Sequence, residues 1–235
     1  MRIRKHDNLY QLTFMPQLFP VNCYLIEEDD DLTLVDAAMP SSAQAILSAA
    51  RTIGKPIRRI VLTHAHADHI GALDSLHAAL PDAEIMVSKM EWDILQHQMN
   101  TQDGHSIKGS YPKNIKTVPD VFLDEGDRVG SLEVIASPGH SPGLLALYDR
   151  RNGAVLAGDA FQVRGGLAVS GDIRWLFPFP AWGTWHKARS IQSAQKLVDL
   201  KPEILATGHG DMLHSPVPMM KQAILRAEKR IKTHA

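Results

Sequence analysis

The sequence predicts a mixed α/β fold built from two similar βα halves that face each other. Three observations predict it. First, a strand hairpin, an aspartate, a helix, a Lys-Pro pair and a strand running into histidine occur in that order twice along 235 residues. Second, short apolar runs bracket charged turns in the hairpins, and apolar residues recur at helix period between them. Third, surface scaling with mass lets a chain of this size bury about 70% of its unfolded surface, enough for a substantial core without covalent staples.

In the first half, Cys23 to Val35 (CYLIEEDDDLTLV) reads as two apolar strands around an acidic turn, and Asp36 ends it. Pro40-Ser41-Ser42 then opens a helix with Ala43, Ile46, Leu47, Ala50 and Ile53 on one face, closed by Gly54. Lys55-Pro56 introduces the strand IRRIVLT, which ends at His64. The second half repeats this: Leu144 to Leu156 is a hairpin around an Asn-Gly turn, ended by Gly158-Asp159. A helix from about His186 to Leu200 follows, with Ala188, Ile191, Ala194, Leu197 and Val198 in helical register. Lys201-Pro202 then introduces EILAT, which runs into Gly208-His209. Strand ends therefore converge at one edge, where α/β proteins commonly bind ligands.

The remaining segments are less periodic. Ser88 to Gln98 can form a helix, Asn100 to Asn114 reads as a long polar loop of the functional kind, and 161–185 is a second irregular insertion. Pro216 to Lys232 reads as a terminal helix with Ser215 as candidate N-cap. No linker composition interrupts the chain, so 1–235 reads as a single domain.

Composition narrows the chemistry. With 25 basic against 26 acidic residues the net charge is −1, which argues against a nucleic-acid or membrane binder held by bulk charge. Cys23 is the only cysteine, so neither a disulfide framework nor a thiolate zinc knuckle can form. A reducing, cytoplasmic compartment suits it, and no signal-peptide core or long apolar run is present. The 12 histidines stand out. A metal site here would be built from imidazole and carboxylate.

The densest chemistry is Thr63-His64-Ala65-His66-Ala67-Asp68-His69, at the end of an apolar strand and followed by a helical pattern at Ile70, Leu73, Leu76 and Leu80. Residues i and i+2 of an extended segment point to one side, so His64 and His66 can share an ion. Asp68 and His69 project together elsewhere, a geometry that serves two ions. Further ligands lie at other strand ends: His140 after LEVIASPG, Asp159 after AVLAG and His209 after EILATG. Each adjoins a glycine, which lets backbone approach a crowded site.

The run HAHADH, then His140 in SPGHSPG, Asp159 in AGDA and His209 in TGHG, resembles the metallo-β-lactamase superfamily over nearly the whole chain. The resemblance implies a four-layer αββα sandwich. It also implies that His64, His66 and His140 bind one metal, that Asp68, His69 and His209 bind a second, and that Asp159 bridges them. Two divalent ions are expected, Zn(II) first, with Fe or Mn as alternatives. A water shared by two such ions loses a proton near neutral pH and becomes a hydroxide nucleophile. Asp68 is the candidate catalytic carboxylate, and Asp36 the candidate partner that fixes a ligand imidazole. Here the chain has Asp36-Ala37-Ala38 where the superfamily often has Asp-Thr-Gly.

Departures from the family pattern bear on substrate. Ala65 and Ala67 supply no extra carboxylate of the flavodiiron kind, and Asp68 with Asp159 resembles the lactonase and glyoxalase II branches. Only residues 210–235 follow His209, too few for the helical thiol-conjugate domain of glyoxalase II. Ala160-Phe161-Gln162 stands where homoserine-lactone hydrolases often carry a tyrosine, leaving Tyr111 as the free loop phenol. The 161–185 insertion carries Phe161, Trp175, Phe177, Phe179, Trp182 and Trp185. These rings form either an apolar substrate wall, with Phe161, Trp175 and Trp182 as candidates, or a core cover or homodimer contact. Arg164 and Arg174 can meet an anion, His77 reads as a core-edge histidine, and His97, His105, His186 and His214 receive no role.

The expected function is dinuclear metal-dependent hydrolysis of a small lactone, ester or thioester, without nucleic-acid or membrane partners. The rivals are a mononuclear-iron persulfide dioxygenase, a phosphodiesterase, a β-lactamase and a metal-binding module without turnover.

Overall fold

The computed structural model describes residues 1–96 and 106–234. The first sheet takes its seven strands in chain order: β1 (Arg2–His6), β2 (Leu9–Phe14), β3 (Val21–Glu27), β4 (Leu32–Val35), β5 (Ile57–Val61), β6 (Glu84–Val87) and β7 (Val121–Phe122). The second has the order β15 (Leu213–His214), β14 (Ile204–Ala206), β11 (Ala154–Leu156), β10 (Leu145–Asp149), β9 (Leu132–Ala136) and β8 (Arg128–Val129). A separate ribbon pairs β12 (Phe161–Gln162) with β13 (Ala168–Val169).

The sequence repeat corresponds to a repeat in strand pairing. In the first half β3 and β4 pair antiparallel, α1 (Ala43–Ile53) crosses over, and β5 joins parallel to β4. In the second half β10 and β11 pair antiparallel, α6 (Lys187–Asp199) crosses over, and β14 joins parallel to β11.

Three apolar layers separate four layers of structure. Tyr24, Ile26, Val35 and Val61 of the first sheet meet Leu145, Leu147, Leu156 and Ile204 of the second in a core between the sheets. The alternate residues Cys23, Leu25 and Leu34 face outward onto α1 and onto α3 (Leu73–Ala79), through Ile46, Ala50, Leu73 and Leu76. On the other side Leu144, Ala146, Val155 and Leu205 pack on α6 and on α7 (Val217–His234), through Ala194, Leu197, Met220 and Ile224. Strand period two thus sends each sheet's residues into two different cores. The architecture is the expected αββα sandwich.

Several local expectations need correction. The helical pattern after His69 is two helices, α2 (Ala67–Ile70) and α3, broken at Gly71 and Ala72. A Cβ at Gly71 would lie 2.6 Å from both Ala67 O and Pro40 Cδ, so only glycine fits beside the 3-10 turn at Pro40–Ser42. The helix read at 88–98 is α4 (Lys89–Leu95), and residues 97–105, with His97, His105 and part of the long loop, lie outside the described residues. Ser215 has φ 46, the left-handed region rather than the extended backbone of an N-cap. His186, given no role above, instead caps α6, its Nδ1 accepting from Arg189 N.

Candidate metal centre

The structure brings all seven expected residues to one edge. His64, His66, Asp68 and His69 follow β5, His140 follows β9, Asp159 follows β11 and His209 follows β14. Nitrogen and oxygen atoms close in overlapping groups: His64, His66 and His140; His64, His69 and Asp159; and Asp68, His69 and His209. His66 Nδ1 lies 3.1 Å from His64 Nε2 and 3.0 Å from His140 Nε2. Asp159 touches both sides, with Oδ2 3.4 Å from His140 Nε2 and 3.3 Å from His209 Nε2, and Oδ1 3.5 Å from His69 Nε2.

The outer nitrogen of every imidazole has its own partner, and this fixes the inner one. Asp36 accepts from Thr63 N, from Thr63 Oγ1 and, at 2.8 Å, from His69 Nδ1. Since the Thr63 hydroxyl hydrogen goes to Asp36, its oxygen is left to accept from His64 Nδ1 at 3.1 Å. His66 Nε2 donates to Lys108 O and His209 Nδ1 to Pro20 O. His140 Nδ1 faces Ser170 Oγ and Thr184 Oγ1, whose hydrogens are given to Asp159 O and Pro180 O. Five inner imidazole nitrogens therefore converge with two carboxylates. Neutral imidazoles with these outer partners cannot bond to one another here, and buried His69 Nε2 and Asp159 Oδ1 have no hydrogen-bond partner. A cation satisfies all of them at once, so the donor set fits metal.

Electrostatics divides the cluster. Burial pushes His140 down to about 3 and lowers His64 and His66, keeping these imidazoles neutral. Burial opposes charge on His69 and His209 too, but the Asp36 and Asp159 carboxylates hold His69 up at about 10 and Asp159 raises His209, so a cation bound on this side would take the place of a proton. Despite its own burial, Asp159 is held well below the carboxylate range by His209 and His69.

The glycines beside the ligands do three different things. A Cβ on Gly208 would fall 2.2 Å from Asp159 Oδ1 and 2.6 Å from His69 Cε1, the close approach expected at a crowded site. Gly158 instead adjoins the Thr63 side chain, and Gly139 the backbone of Ser190.

Among the substrate candidates, Tyr111 is not a free phenol. Its ring packs on His66 at 4.7 Å, and its hydroxyl is buried, facing Glu91 and Ser141. Phe161 is fully buried under α6 and α7 and belongs to the core, because β12 turns its side chain inward. Trp175 is 81% exposed and lines, with Lys187, Ile191, Arg230 and Ile231, a cleft of about 580 Å³. Trp182, 59% exposed, ends a chain of rings that does reach the cluster: Trp182 meets Phe179, Phe179 meets Phe19 and Phe177, and Phe177 lies 5.0 Å from His209. Arg164 and Arg174 bond to Gln17 O and Leu167 O.

Sequence reasoning missed three supports. Phe19, a lone aromatic between β2 and β3, stacks edge-on to His209 at 5.5 Å. The loop carrying His209 hangs on buried polar groups of the first sheet, with Asn22 Nδ2 donating to Thr207 O and Gly210 O, Gln11 Nε2 to Gly210 O and the Tyr24 hydroxyl to Thr207 O. Alternating polar residues in β2 and β3 were the available signal. Fully buried Glu91 is the third. Ser88-Lys89-Met90-Glu91 matches a helix capping box, and Ser88 does cap α4, but the Glu91 carboxylate serves other amides.

Residues 16–209 match the family model described as metallo-beta-lactamase superfamily. The chain belongs to this superfamily and is an enzyme of its metallo-hydrolase class. It is 50% identical over 232 residues to the Bacillus subtilis protein YobT, covering 97% of this chain and 100% of that one. It is 30% identical to "Probable metallo-hydrolase YflN" of the same organism, covering 80% of each. Among solved structures it is similar to TTHA1623 in a di-iron-bound form, with 28% identity, a TM-score of 0.65 and coverage of 88% of this chain and 95% of that one. Among the described residues no helix is long and apolar enough to cross a membrane.

Proposed function

We propose that this chain is a dinuclear metal-dependent hydrolase of small carbonyl compounds: lactones, esters or thioesters. The observation that carries the reading is the convergence of five inner imidazole nitrogens on two carboxylates, with Asp159 in contact with histidines of both halves. His64, His66 and His140 would hold one ion, Asp68, His69 and His209 the other, with Asp159 between them. When bound, a pair of such ions acidifies water to near-neutral pKa and polarises a carbonyl oxygen.

The chain's own residues supply the rest. Asp68, at 24% exposed, is the most open of the seven side chains, while His209 is 2% exposed. Its Oδ2, 3.4 Å from His209 Nε2, is placed to take a proton from the attacking water and pass it to the departing oxygen or sulfur. Asp36 and Thr63 hold His69 and His64 in one tautomer. Phe19, Phe179 and Trp182 offer an apolar flank to a substituent of the substrate. No thiolate enters the donor set, so imidazole and carboxylate would accept zinc, iron or manganese, and the similarity to a di-iron-bound protein supports testing iron beside zinc.

The test is a panel of lactones, thioesters, β-lactams and phosphodiesters offered to protein of measured metal content. Hydrolysis of a carbonyl substrate by the wild type, and its loss in Asp68→Asn at unchanged fold, is the expected result. Protein with both sites filled that turns over no carbonyl compound contradicts the reading.

A further inference from the structure

Glu91 is not one of the seven converging donors, yet it joins the chain segments that carry the three-histidine half of the centre. It sits in the first turn of α4 with no exposed surface. Its Oε2 accepts from Ala65 N at 2.9 Å, the peptide between His64 and His66. Its Oε1 accepts from Gly143 N at 2.8 Å, three residues beyond His140. Ser88 strengthens the second link, since its hydroxyl donates to Gly143 O at 2.7 Å, and a Cβ at Gly143 would lie 2.5 Å from Ser88 Oγ. Facing the same carboxylate are the hydroxyls of Ser141 and Tyr111. The Tyr111 ring packs on His66, and the same loop grips His66 Nε2 through Lys108 O.

None of these links reaches the Asp68, His69 and His209 group. That group is held from elsewhere: His69 by Asp36, and the His209 loop by Pro20, Asn22, Gln11 and Tyr24. Apart from Asp36, which reaches His64 through the Thr63 hydroxyl, the two halves thus have separate supports. Separate supports allow their affinities to be set independently.

We infer that Glu91 is a positioning residue for the three-histidine ion alone: one buried carboxylate, bonded to an amide in each of two ligand loops, sets the separation of His64 and His66 from His140. The inference rests on the two-ion reading above. Both oxygens are needed, because each serves a different loop. Glu91→Gln keeps the shape but supplies only one acceptor and turns its NH2 toward the other amide. Outer-sphere partners of this kind are worth about 10–100-fold in metal affinity.

The experiment begins with zinc stoichiometry of the wild type. One ion or none per chain overturns the two-ion reading, and the inference with it. With two ions found, Glu91→Gln is placed on two backgrounds and zinc affinity is read by chelator competition. On His209→Ala, which leaves the three-histidine half, affinity falls by about 10–100-fold. On His66→Ala, which leaves the other half, it does not change. Equal losses on both backgrounds, or no loss on either, overturn the role of Glu91 and leave the two-ion reading standing. Should the variants not fold, the wild-type chain reports the same link through the Ala65 and Gly143 amide chemical shifts. Both shift together when zinc fills the three-histidine half, and two unmoved amides overturn the inference.

Discussion

Asp36 Oδ2 lies 2.8 Å from His69 Nδ1, and Asp36 itself holds φ 63, a left-handed backbone that a non-glycine residue adopts at a cost on the order of 1 kcal/mol. Three hydrogen bonds to one carboxylate, from Thr63 N, Thr63 Oγ1 and His69 Nδ1, hold it there. Asn tolerates this backbone, so Asp36→Asn should fold. It removes the charge and presents an NH2 where acceptors are needed. Zinc affinity of the Asp68, His69 and His209 half should fall by about 10–100-fold in chelator competition. An unchanged affinity would show that Asp36 only closes the hairpin.

Gly208→Ala probes how tightly the two carboxylate-linked sides are packed. The added methyl would meet Asp159 Oδ1 and His69 Cε1 at 2.2 and 2.6 Å, far inside contact distance, and neither atom belongs to a flexible side-chain end. Metal content after dialysis should drop in this variant while circular dichroism stays that of the wild type. Full retention of metal would mean that the centre can open without penalty.

Acid stability has a source away from the metal centre. Asp149, at the end of β10, pays for burial but accepts from Arg151 and from Asn8 Nδ2, and its pKa is lowered on balance. A carboxylate depressed in the folded state contributes stability that is present above its unfolded value of about 3.9 and is lost as pH falls through the folded one. Urea midpoints of metal-free protein should therefore decline on acidification below about pH 4, and Asp149→Asn should flatten that decline. Parallel curves for the two proteins would remove Asp149 from the account.

Much of the site was legible because its chemistry is local. Three histidines and an aspartate crowd one strand end, and the internal repeat points to Asp36 as the first-half counterpart of Asp159. What escaped depended on long-range contacts. Nothing near Glu91 separates a capping glutamate from one that reaches Ala65 and Gly143. The apolar period runs unbroken through Ile70, Leu73, Leu76 and Leu80, yet the helix is interrupted at Gly71 and Ala72, where Gly71 lies against Pro40. Tyr111 and Phe161 are conspicuous aromatics in irregular segments, and tertiary packing alone decides that Phe161 is buried and that the Tyr111 hydroxyl is turned inward.

The same distinction bears on Asp68. It is the most open of the seven side chains, the property the proposed proton transfer requires, whereas Asp159 is buried between the halves. Asp68→Asn should lower kcat by about 10²-fold or more, the range for loss of a general acid or base, with binding of the three-histidine ion retained. If kcat is unchanged in that variant at full metal content, the proton is handled elsewhere.

Turnover of a carbonyl substrate, measured as metal is added back stepwise to metal-free protein, tests the central claim most directly. The account predicts hydrolysis that rises until two ions are bound per chain and that is the same in air and under nitrogen. Turnover that is complete at one iron per chain and stops without dioxygen would contradict it.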